Sequence, residues 1–83
     1  ALPIYSIVDL SHTQLGEFLQ KLRNDSGATQ QELGLAISKS QSYVSKLELG
    51  EKKLTFIEVL TIIEYFELSC NEFISNLEGY YHE

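Results

Sequence analysis

Four times along this chain a Ser or Thr is followed three residues later by Glu or Gln at the head of an apolar run: Ser11 with Gln14, Thr29 with Glu32, Thr55 with Glu58, and Ser69 with Glu72. Each pair can satisfy two orphan amides of a helix start. The hydroxyl accepts from the third helical amide while the longer side chain reaches back to the cap's own amide. A chain punctuated this way begins helices repeatedly and leaves little room for sheet. The apolar residues behind the caps keep helical spacing. Leu15, Phe18, Leu19 and Leu22 follow Ser11; Leu33, Ala36 and Ile37 follow Thr29; Val59, Leu60, Ile62, Ile63 and Phe66 follow Thr55; Phe73, Ile74 and Leu77 follow Ser69.

One more helix, 41–49, begins after Ser40 and stops at Gly50, with Tyr43, Val44 and Leu47 on its apolar side. Gly27 suits the left-handed residue that closes the first helix. The expectation is an all-α bundle of five helices over residues 11–78. Residues 1–10 differ, because Ile4, Tyr5, Ile7, Val8 and Leu10 are β-branched, aromatic or apolar and roughly alternate. They read as a short extended N-terminal arm lying across the bundle or across a dimer. The tail, 79–83, is expected to fray.

A chain of 83 residues buries only ~60–65% of the surface it exposes when unfolded. It therefore needs a tight core, a staple or a partner. Cys70 is the single cysteine, and His12 and His82 are far apart in sequence. Neither a disulfide nor a zinc site follows, no metal or cofactor is expected, and Cys70 reads as a partly buried thiol. His12, in the first turn, is expected at the surface. Phe18, Phe56, Phe66 and Phe73 read as core, helped by self-association. The uncharged stretch Ala1 to Val8 is too short for a signal peptide or membrane span, so a cytoplasmic location is the default. No nucleophile-base motif, phosphate-cradling glycine loop or metal-ligand spacing occurs, which points away from an enzyme or a small-molecule binder.

The second and third helices are joined by a turn of three or four residues around Ser38, Lys39 and Ser40, the linkage of a helix-turn-helix. Leu33, Ile37, Val44 and Leu47 can lock the two together, and Gly34 permits close approach. That leaves Gln41, Ser42, Ser45 and Lys46 exposed on the third helix. Gln pairs bidentately with adenine, Lys reaches guanine O6/N7, and Ser suits either kind of base edge. A plain solvated face is the competing reading. Tyr43 either wedges its ring against the second helix or offers its hydroxyl to a phosphate, and its place near the helix start favours the phosphate.

The stretches Leu15 to Arg23, Thr29-Gln30-Gln31-Glu32-Leu33, Ser42 to Gly50 and Leu68 to Ile74 together resemble the Cro/cI-type (XRE) helix-turn-helix family over roughly residues 13–77. The resemblance implies a five-helix, lambda-repressor-like domain that binds operator DNA as a dimer, with the third helix reading bases. Gln41, Ser42 and Lys46 then match base-reading positions, and Ser45 shares their face. Gln30 matches a phosphate contact, Lys52 and Lys53 fall in a segment that approaches the backbone, and Lys39 and Tyr43 complete the anchors. Glu48 is expected to pair with Arg23 inside the fold. Three positions depart from the family pattern: Gly34 replaces a commoner Ala, and Ser38 and Glu67 stand where Gly is usual. A left-handed Ser38 would cost roughly 1 kcal/mol.

The formal charge of −6 argues against nucleic acid until it is sorted by position. All six basic residues lie between 21 and 53, where only Asp25, Glu32, Glu48 and Glu51 are acidic. The other eight acids flank that segment. Over distances beyond a Debye length of ~8–10 Å the local field decides. The resulting expectation is a transcriptional repressor binding double-stranded DNA as a homodimer, paired through Phe73, Ile74 and Leu77 or through the arm at Ile4 to Val8, without membrane contact. The alternative is a protein-interaction module, such as an antitoxin or a regulatory domain, with weak DNA binding.

Overall fold

The computed structural model describes residues 11–81, which form five helices and, among the described residues, no strand. The order is α1 (His12–Ser26), α2 (Gln30–Ala36), α3 (Gln41–Glu48), α4 (Phe56–Tyr65) and α5 (Cys70–Tyr81). The expected arm at residues 1–10 lies outside the described residues.

All four cap pairs form in both directions. Ser11 Oγ accepts from the Gln14 amide at 3.1 Å while Gln14 Oε1 accepts from the Ser11 amide at 3.0 Å. Thr29 with Glu32, Thr55 with Glu58 and Ser69 with Glu72 repeat the arrangement. Ser40 caps α3 through the Tyr43 amide. The left-handed residues are Gly27, Gly50, Ser38 and Glu67, with φ of 59° at Ser38 and 57° at Glu67. The turns therefore keep the left-handed geometry even where glycine is absent.

Two apolar clusters hold the bundle. Leu19, Leu33, Ile37, Val44, Leu47 and Ile62 tie α1 to α2, α3 and α4, and Phe18, Ile63, Phe73 and Leu77 tie α1 and α4 to α5. Phe18 and Phe73 meet edge to face with centroids 5.5 Å apart. Phe56, expected in the core, is instead 76% exposed. It is the first residue of α4 and points outward with Ile57 and Leu60. Cys70 is exposed rather than partly buried, and His12 is exposed as expected.

The end of the chain also differs from expectation. α5 continues through Tyr81, whose hydroxyl donates to the Gln14 carbonyl, and the Tyr80 ring lies 5.7 Å from that of Phe18. The hydroxyl bond and the ring contact place the last helical turn against α1; His82 and Glu83 lie outside the described residues.

Candidate nucleic-acid interface

Local chemistry sets the angle between α2 and α3. Ile37 closes α2, Ser38 turns left-handed, and the Lys39 amide donates to the Gly34 carbonyl at 2.8 Å. A Cβ on Gly34 would sit 2.8 Å from the Lys39 carbonyl oxygen, so only glycine fits without moving backbone. Leu33, Ile37, Val44 and Leu47 are all buried and lock the pair as expected. Gln41, Ser42 and Lys46 are exposed on α3, whereas Ser45 is half-buried at the edge of that face.

Behind the face runs a polar chain of four side chains, Arg23, Glu48, Gln30 and Gln41. Arg23 on α1 donates through Nε and Nη2 to the two oxygens of Glu48, at 2.6 and 3.0 Å, and through Nη1 to the Ala28 carbonyl. The pair is the expected one, and both partners are buried. Gln30 on α2 donates to Glu48 Oε1 at 2.9 Å and accepts from Gln41 Nε2 at 2.6 Å. Gln30 therefore links the buried ion pair to the exposed Gln41, a role beyond the expected phosphate contact. One N–H of Gln30 stays available for a phosphate, since an amide nitrogen carries two. By the same count, Gln41 keeps its oxygen and one N–H for a base edge. Those two groups are what bidentate adenine recognition uses.

The hydroxyl of Tyr43 donates to Glu58 Oε2 on α4 at 2.7 Å, a bond within the fold. The bond to Glu58, burial and the neighbouring carboxylate raise the phenol's pKa, so it stays protonated. Burial alone would raise the pKa of Glu58. The hydrogen bonds from Thr55 and Tyr43, with the charge of Lys39, outweigh it and hold the carboxyl below its ordinary range. The Tyr43 ring faces two cations, with Lys39 Nζ 5.0 Å and Lys52 Nζ 5.5 Å from its centroid. Lys53 and Lys46 are exposed.

Pairing sharpens the charge map. Arg23 is neutralised by Glu48, and Lys21 binds Asp25 one turn further along α1. The remaining cations of the segment are Lys39, Lys46, Lys52 and Lys53. They all lie in the turn before α3, on α3, or in the loop after it. A shallow groove is lined in part by Thr29, Gln30, Lys39, Ser40 and Gln41. Among the described residues no cluster of side chains could hold a metal ion, and no helix is long and apolar enough to cross a membrane.

The site, then, is a short helix on a fixed turn, with exposed amide and lysine side chains on it and in the segments either side of it. A helix-turn-helix family model matches residues 19–73. The HTH-type transcriptional regulator PrpR of Mycobacterium tuberculosis is 38% identical over 69 residues, a stretch covering 83% of this chain and 14% of PrpR. The chain thus spans about a seventh of that relative's length. Among solved structures, the clp gene regulator ClgR from C. glutamicum superposes with a TM-score of 0.72 at 28% identity, covering 86% of this chain and 92% of ClgR. The restriction-modification controller protein C.AhdI from Aeromonas hydrophila superposes with a TM-score of 0.67 at 22% identity, over 75% of this chain and 94% of C.AhdI, which supports the fold. None of these matches is to an enzyme. With two thirds of its length matched and its turn, caps and buried Arg23–Glu48 pair in place, the chain belongs to the XRE-type helix-turn-helix family.

Proposed function

We propose that the chain is a transcriptional regulator that reads double-stranded DNA in the major groove with α3, as a homodimer, and represses by occupying its operator. The observation that carries this reading is Gln41, exposed on α3 and held at 2.6 Å by Gln30. An amide fixed before binding loses less freedom on meeting a base. Ser42 and Lys46 extend the same exposed edge, with Ser45 beside them. Lys39, Lys52, Lys53 and the remaining N–H of Gln30 supply backbone contacts. The names of PrpR and ClgR, both regulators, support the regulatory assignment.

Gln41→Ala is expected to remove ~1–3 kcal/mol of discrimination at one base position, while Lys53→Ala weakens every sequence alike. Titrations against an operator and a random duplex separate the two. Equal losses on both duplexes for Gln41→Ala would refute its base-reading role.

Four lysines make few phosphate contacts, so tight binding calls for two copies. Of the α5 residues expected to pair, Phe73 and Leu77 are buried while Ile74 is exposed, and the arm at Ile4 to Val8 lies outside the described residues. Phe56, Ile57 and Leu60 are exposed on one side of α4, and a second copy of this chain is the occupant we assign to that face. Ile57→Asp is expected to convert a dimer to monomers in sedimentation and to halve the salt slope of operator binding. An unchanged dimer would exclude this face.

A further inference from the structure

We propose that Glu58 is a positioning residue for DNA anchoring: through the Tyr43 hydroxyl it fixes one aromatic ring as a shared rest for Lys39 and Lys52, so that both ammonium groups close on a single backbone phosphate. The inference rests on the DNA-binding reading above but concerns groups outside the base-reading face.

Three observations carry it. Glu58 is 7% exposed, and each carboxylate oxygen has a defined partner, the Thr55 amide at 3.0 Å and the Tyr43 hydroxyl at 2.7 Å. The first bond belongs to the α4 cap; the second spans from α4 to α3 and fixes the ring. The two lysines come from opposite ends of α3, Lys39 before it and Lys52 after it, yet both Nζ atoms lie within 6 Å of this ring's centroid. A ring face attracts cations at that range. Lastly, two like charges drawn to one ring repel each other, and the Glu58 carboxylate is already engaged by Tyr43 and Thr55. A phosphate bridging them removes that repulsion and accepts from both.

The test is the salt dependence of binding to a random-sequence DNA duplex, because phosphate contacts do not depend on sequence. Each neutralised phosphate contributes ~0.9 to the slope of log K against log salt. The shared-phosphate arrangement predicts that Lys39→Gln with Lys52→Gln together lower the slope by ~0.9, whereas two separate phosphates would give ~1.8. Tyr43→Phe keeps the ring but removes its tether to Glu58. It is expected to lower the slope by up to the same ~0.9, and adding Lys52→Gln to it to bring no loss beyond that total. Glu58→Gln can still bond both Thr55 and Tyr43 and is expected to keep the wild-type slope, which a requirement for the negative charge would not allow. A loss near 1.8 for the lysine pair, or an unchanged slope in Tyr43→Phe at unchanged melting temperature, overturns the proposal and leaves the base-reading role of α3 standing. Failure of the wild-type chain to bind any duplex at low salt overturns both.

Discussion

Glu48→Ala is expected to cost about 3–5 kcal/mol of folding stability, the range for removing one partner of a buried ion pair. Arg23 would keep only its bond to the Ala28 carbonyl, and its charge would stay buried between α1 and α3. Gln30 would lose its acceptor in the same step, so Gln41 would be held by a side chain that is itself no longer tethered. Urea unfolding monitored by helical circular dichroism gives the loss directly. Replacing both members together, Arg23→Met with Glu48→Leu, is expected to cost much less than Glu48→Ala alone, because no charge is then left unpaired. A single-site loss under about 1 kcal/mol would show that the pair acts as a surface ion pair does.

Gly16→Ala is the second large effect, and its sign runs against helix propensity. In an exposed helix interior this change gains about 0.5–1 kcal/mol. At Gly16 the added Cβ would lie 2.3 Å from the Leu47 carbonyl oxygen and 2.7 Å from that of Glu48, both backbone atoms at the end of α3. Relief requires α1 and α3 to separate, which disturbs the core at Leu19 and Leu47 and the Arg23–Glu48 pair. A loss at the upper end of the ~1–3 kcal/mol range for overpacking is expected. Gly79 on α5 provides the control, since a Cβ there meets nothing within 4 Å. Gly79→Ala should therefore raise the melting temperature while Gly16→Ala lowers it; a gain at both positions would contradict the close helix contact.

What the sequence disclosed was chiefly local. Each cap pair is written within four residues, so the starts of α1, α2, α4 and α5 could be read from spacing alone. The turn at Ser38 was legible for the same reason, because the chain must reverse between two short capped helices. Contacts between helices carried less signal. The Arg23–Glu48 pair is legible only through family resemblance, while the Gln30–Gln41 and Tyr43–Glu58 bonds join residues whose types also serve other purposes. Glu58 in particular reads completely as a cap residue, and nothing in its sequence context marks its second oxygen. The exposed face of α4 was hidden differently: Phe56, Ile57, Val59, Leu60, Ile62 and Ile63 are apolar nearly all around the helix, so periodicity could not select the buried side. Tyr80 and Tyr81 read as a tail in sequence because their partners, Phe18 and Gln14, lie at the far end of the chain.

The most direct test of the DNA-reading account is selection from a random-sequence duplex pool at low salt, followed by sequencing of the bound fraction. The account predicts an enriched pseudo-palindrome with half-sites centred about one helical turn, ~34–36 Å, apart, and relaxed preference at one base pair of each half-site when Gln41→Ala is used. A bound pool with no enriched sequence, or no binding at all, would contradict it and favour the protein-interaction reading of the same fold.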